Sequence, residues 1–242
     1  MGSDVSDVLV AAIRAGDTVA LRQLLDDDAR RAAAAIGGAY ANRTPLHVVA
    51  DWPGYFPNGP EVVKLLIAAG ADPNVRSPGK QFAETPLHWA ASSDDVDVAI
   101  ALIDGGADVE VANGSIGTPL DNAIGYGCWH VARLLVTRGA KVDKLWHAAA
   151  LGLLTRLQEL LDERPGPNVD DVSHAFWHAC SGGQRRAAEL LLARGADLNY
   201  VPGYARTTAL DAAIGRGTRQ ENVITWLREQ GAPSASASDS DG

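Results

Sequence analysis

One phrase returns along this chain and sets its period. Thr44-Pro45-Leu46-His47 recurs as Thr85-Pro86-Leu87-His88, and in altered form as Thr118-Pro119-Leu120-Asp121. A second phrase closes the segments that follow: Gly70-Ala71-Asp72, Gly106-Ala107-Asp108 and Gly195-Ala196-Asp197. A unit this short cannot bury an apolar face by itself. It must stack on copies of itself, which restricts the chain to a repeat array.

Alignment on these phrases and on the downstream Leu-Leu pairs gives seven units, starting near Asp7, Thr44, Thr85, Thr118, Asp143, His174 and Thr208. Each reads as two helices. Thr caps the first helix and Pro takes its first turn, where a missing N–H costs nothing. Paired alanines (Ala90-Ala91, Ala148-Ala149) allow close helix approach. Leu65-Leu66, Leu160-Leu161 and Leu191-Leu192 are expected to fill the space between helices. Gly70, Gly139, Gly195 and Gly231 are expected to end the second helices with positive φ.

The spacing is uneven. The intervals between starts are 37, 41, 33, 25, 31 and 34 residues. The long unit carries an insertion from Trp52 to Pro60, and the short one leaves almost no turn after Val142. The fifth and sixth units replace the phrase with Lys144-Leu145-Trp146-His147 and Ala175-Phe176-Trp177-His178.

The Thr-Pro-Leu-His phrase followed by two helices resembles the ankyrin repeat over nearly the whole chain. The resemblance implies an all-α solenoid with short β-turn fingers. It would be one domain over 1–233: an N-cap at 5–43, repeats near 44–84, 85–117, 118–142, 143–173 and 174–207, and a C-cap at 208–233. Residues 234–242, rich in Ser, Ala and Asp, are expected to be a disordered tail. The resemblance also implies that first helices and fingers line a concave groove, and that His47 and His88 tie neighbouring turns together.

Carried over position by position, that groove holds Asp51, Trp52 and Tyr55, with Phe56 from the insertion. It continues with Trp89 and Ser92, then Asn122, Tyr126 and Trp129. His147, Leu151, His178, Ser181, Arg185 and Arg216 complete it. Aromatic anchors of this type dominate recognition energetics. Trp89, Trp129 and Trp177 are equally readable as half-buried packing residues. His147 and His178 occupy equivalent places in adjacent units, so their rings are expected to converge.

No catalytic set is legible. Cys180 falls on a packing position, and Ser181 with His178 lacks a visible orienting acid and oxyanion hole. A metal at His147 and His178 lacks further ligands among the matching positions, so neither metal nor cofactor is expected. Net charge is -9, which argues against nucleic acid and anionic membrane surfaces. No stretch has the length of a membrane span. Two cysteines without metal or redox spacing fit a reducing cytoplasm, and an Arg-to-Lys ratio of 17 to 4 fits a bacterial source. These readings lead to a monomeric, non-enzymatic scaffold gripping a protein or peptide partner. The alternative is a small-molecule binder, enzyme or sensor, whose pocket is roofed by the 52–60 insertion.

Overall fold

A computed structural model of the chain describes residues 5–36, 43–78, 83–215 and 220–234. Arg216, Arg219 and residues 235–242 of the expected tail lie outside them. Among the described residues regular structure is helical, with one antiparallel bridge between Ile36 and Arg43. The chain forms two compact units, 1–140 and 141–242. The division falls in the shortest repeat, where Lys141 stands in place of the Asp of the Gly-Ala-Asp stop.

The first unit pairs α1 (Val5–Ala15) with α2 (Thr18–Asp27), α3 (Pro45–Val49) with α4 (Gly59–Ala68), α5 (Pro86–Ser93) with α6 (Val96–Asp104), and α7 (Pro119–Tyr126) with α8 (Trp129–Thr137). First helices pack on first helices and second on second in chain order. The second unit repeats this with α9 (Leu145–Leu151) and α10 (Leu154–Asp162), α11 (Val169–Ser181) and α12 (Arg185–Ala193), then α13 (Ala209–Ile214) and α14 (Glu221–Glu229). The sixth repeat opens earlier than its spacing suggests. Asn168 caps α11 and Asp171 returns the bond, so His174 lies inside the helix rather than at its start.

The closing Gly-Ala-Asp has a structural account at each residue. Gly70, Gly106 and Gly195 have φ of 101°, 99° and 91°. That left-handed step lets the next N–H turn back: Ala71, Ala107 and Ala196 donate to Leu66, Leu102 and Leu191 carbonyls. The Asp then accepts from the N–H two residues on, as Asp72 from Asn74, Asp108 from Glu110 and Asp197 from Asn199. These side-chain turns shape the fingers. Adjacent fingers join where Asn74 donates to the Gly106 carbonyl and accepts from the Asp108 N–H.

The paired alanines are fully buried, as expected. The leucine pairs divide their work: Leu66, Leu160 and Leu191 are buried, while Leu65, Leu161 and Leu192 are half-buried. Leu46, Leu87 and Leu120 of the recurring phrase are essentially inaccessible. Each contributes roughly 1.5–3 kcal/mol through burial.

Candidate functional site

The recurring histidines are structural. His47 Nδ1 accepts from the Thr44 N–H at 3.3 Å and lies 2.8 Å from its hydroxyl. The proton therefore sits on Nε2, which donates at 3.0 Å to the carbonyl of Glu84, the last residue before the next repeat. His88 repeats the arrangement with Thr85 and the Gly117 carbonyl. In the third copy Asp121 takes over the capping half, accepting from the Thr118 N–H and hydroxyl.

Beside this frame the first unit holds an open groove of about 520 Å³, walled by Arg43, Asp51, Trp52, Glu84, Trp89, Ser92, Ser93 and Tyr126. Trp52 and Tyr126 are the accessible anchors, at 76% and 52% exposure. Trp89 is half-buried. Its ring meets His47 edge-on at 5.0 Å, with the Arg43 guanidinium 5.1 Å from its centre. Asp51 accepts from Arg14 at 3.2 Å and pairs with Arg43 at 3.4 Å.

Glu84 is the most connected residue of the groove wall. Its Oε1 accepts from the Ser115 N–H, the Ser115 hydroxyl and Asn122 Nδ2. Burial pushes the carboxyl up, but the hydrogen bonds from Ser115 and Asn122 outweigh it and hold the group below its ordinary value. Asn122 is fully buried. It therefore positions Glu84 and Ser92 instead of offering a contact surface.

Several expected groove residues lie elsewhere. Trp129 and Arg185 are the first residues of second helices α8 and α12, because α7 and α11 end before them. Arg185 is held by Glu189 and Asn222, both at 2.7 Å. The insertion does not roof the groove. Tyr55 bonds the Asp94 carbonyl through its hydroxyl and the Asp95 carboxylate through its N–H, while Asn58 donates to the Gly16 carbonyl. The segment is thus laid along the turns between helices. Phe56 lies under Arg14, and of the insertion Trp52 alone reaches the groove wall.

The second unit gathers the other expected residues around α11. His147, Leu151, His178 and Ser181 are all buried. Trp146 touches both His147 and His178, with ring centres 4.4 and 4.8 Å away. The ring that shares a polar partner with His178 is His174: both Nε2 atoms lie 2.8 Å from the Tyr204 hydroxyl. Burial pushes His174 down, with Asp171 partly opposing, and pushes the Tyr204 hydroxyl up to about 12. Tyr204 can then donate to one neutral imidazole while accepting from the other. A cavity of about 420 Å³ opens beside His174, with Trp146, Lys144, Asp143, Glu163 and Asp171 on its wall.

Among the described residues, neither cysteine nor serine of α11 is set up as a nucleophile. Cys180 is buried and its thiol is pushed far up. Ser181 is buried while His178 Nε2 is engaged with Tyr204. Among the described residues, no group of three or more His, Cys, Asp or Glu side chains is arranged to hold a metal ion. No helix among them is long and apolar enough to cross a membrane.

Comparison with known proteins fits this geometry. The family model of ankyrin repeats matches residues 55–144 in three copies. The chain superimposes on the crystal structure of the ankyrin repeat domain of Bcl-3, a member of the IkappaB family, with a TM-score of 0.53 and 27% identity. The match covers 91% of this chain and 97% of that one. The chain is an ankyrin-repeat protein. The mouse B-cell lymphoma 3 protein homolog is 28% identical over 179 residues, covering 72% of this chain and 33% of that protein. The ankyrin repeat and KH domain-containing protein mask-1 of Caenorhabditis elegans is 33% identical over 181 residues, covering 71% of this chain and 7% of its own length. The ankyrin chain thus spans a third or less of these relatives.

The position-by-position reading placed Ser93 beside Ser92 but missed Arg43, Glu84, His174 and Tyr204. Glu84 had a signal, since it directly precedes Thr85 and sits where His47 of its own repeat points. Tyr204 had none, because a finger can fold back at any of several residues.

Proposed function

We propose that this ankyrin-repeat protein is a non-enzymatic binding module that captures a protein or peptide partner in the groove of its first unit. The observation carrying this reading is the pair of exposed aromatics, Trp52 and Tyr126, standing on either side of the half-buried Trp89 in one groove with two carboxylates. Large side chains left in water beside fixed polar groups are the residue types that act as recognition anchors. The groove is open rather than enclosed, which suits an extended chain better than a small molecule.

The test begins with peptides selected from a random library against the intact chain. Affinities are then measured by fluorescence polarisation for the parent and for Trp52→Ala/Tyr126→Ala. The double variant is expected to bind more than about tenfold more weakly with an unchanged circular dichroism spectrum. Undiminished binding by the variant would refute the groove assignment.

A further inference from the structure

The small polar groups on the wall of the first-unit groove have spent their protons elsewhere. Ser92 donates its hydroxyl to the His88 carbonyl at 2.9 Å, and Ser93 donates its own to the Trp89 and Ala50 carbonyls at 3.0 and 3.2 Å. Both serines are half-buried wall residues, so what they have left is lone pairs. Glu84 beside them is acceptor-only while ionised. Its donors, the Ser115 N–H, the Ser115 hydroxyl and Asn122 Nδ2, are all neutral and all meet Oε1. They hold the carboxyl below its ordinary value, so it is charged at neutral pH. Among the described residues no cation pairs with this carboxylate, and its Oε2 accepts no hydrogen bond.

The other carboxylate of the groove is already matched. Asp51 has Arg14 at 3.2 Å and Arg43 at 3.4 Å. Arg43 also stands over Trp89, with its guanidinium 5.1 Å from the ring centre. The chain thus holds one guanidinium of its own between an aromatic face and a carboxylate in this groove. The same two kinds of group recur on the remaining walls, where exposed Trp52 and Tyr126 accompany Glu84. Of the wall residues, Arg43 and Asp51 cancel, so the charge left for a partner is the negative charge of Glu84. The net charge of -9 on the whole chain favours approach of a cation.

We propose, resting on the groove reading above, that the partner anchors there through an arginine side chain, its guanidinium bound to Glu84 and the serine oxygens and flanked by Trp52 and Tyr126. A guanidinium carries five N–H donors and no acceptor, the complement of a wall that offers acceptors. It is planar, stacks on aromatic faces and is more weakly hydrated than an ammonium, which favours arginine over lysine. Ser115 and Asn122 fix the Glu84 carboxylate before any partner arrives, so little ordering cost remains to be met on binding.

A random dodecapeptide library is selected against the full chain and counter-selected with Trp52→Ala/Tyr126→Ala. Peptides that depend on the groove should share an arginine. For one of them, fluorescence polarisation compares the arginine form with forms carrying citrulline, its uncharged isostere, or lysine at that position. Citrulline should weaken binding by more than about tenfold, and lysine by about threefold or more. In Glu84→Gln the citrulline penalty should shrink to about threefold or less, since the charge it reports is gone. If Glu84→Gln fails to fold, the citrulline and lysine forms on the parent decide the matter. Groove-dependent peptides without arginine, equal binding of the citrulline or lysine form, or an undiminished citrulline penalty in Glu84→Gln would each overturn the proposal while leaving the groove as the binding surface. A library that yields no peptide lost by the double variant would instead remove the groove reading, and the proposal with it.

Discussion

His47 and Glu84 join the two ends of one repeat: the imidazole Nε2 donates to the Glu84 main-chain oxygen at 3.0 Å. The same Glu84 accepts through its carboxylate from Ser115 in the following repeat and from Asn122 in the one after. One residue thus links three successive repeats, and it does so on the wall of the groove. His47→Ala should leave the Glu84 carbonyl and the Thr44 N–H without these partners. The cost is about 1–3 kcal/mol for each buried group left unmet. Urea denaturation should show a lower midpoint with an unchanged slope.

Glu84→Gln separates the charge of this link from its shape. The carboxyl is held below its usual range, so its contribution is present above the unfolded value of 4.5 and is lost as pH falls through the lower folded value. At neutral pH the variant should be about 1–3 kcal/mol less stable. The gap between parent and variant should close in acid, which urea melts across pH would record. A gap that persists in acid would point to packing rather than charge.

His88 gives a pH dependence in a different window. Burial holds its imidazole below the ordinary value of 6.5. The unfolded chain then binds the proton more readily than the folded one. Stability from this group is complete above about pH 6.5 and falls as pH drops towards the folded value. His88→Gln should flatten the stability curve between about pH 7 and pH 5, whatever it does to the absolute midpoint. Native-state titration by NMR of the His88 ring would check the direction directly.

The sequence carried the repeat frame because each part of the phrase acts locally. Thr118 caps, Pro119 starts the helix and Gly195 turns it, all within a few residues. The groove was only partly legible. Trp89 and Tyr126 fall at helix-face positions, but Trp52 lies in the turn beyond α3 and Trp129 starts α8. Gly127 turns left-handed and ends α7 before the fourth face position is reached. The insertion obeyed long-range partners, Asp94, Asp95 and Gly16, that no local pattern names. Tyr204 meets His174 and His178 only after a finger folds back.

Gly16 marks where that insertion is clamped to the first repeat. Its φ is +64°, and a Cβ there would stand 1.9 Å from the Pro57 carbonyl oxygen. Gly70 also has positive φ, but no heavy atom lies within 4 Å of its notional Cβ. Both Ala substitutions carry the backbone penalty, roughly 1 kcal/mol or more. Gly16→Ala alone also meets rigid backbone, so the Trp52–Asn58 segment must move away. The loss of stability should therefore be clearly larger for Gly16→Ala than for Gly70→Ala. Hydrogen exchange should speed up at Tyr55 and Gly59, whose N–H groups bond Asp95 and Phe56. Equal destabilisation by the two variants, with unchanged exchange at Tyr55, would mean that the insertion is not held from the Gly16 side.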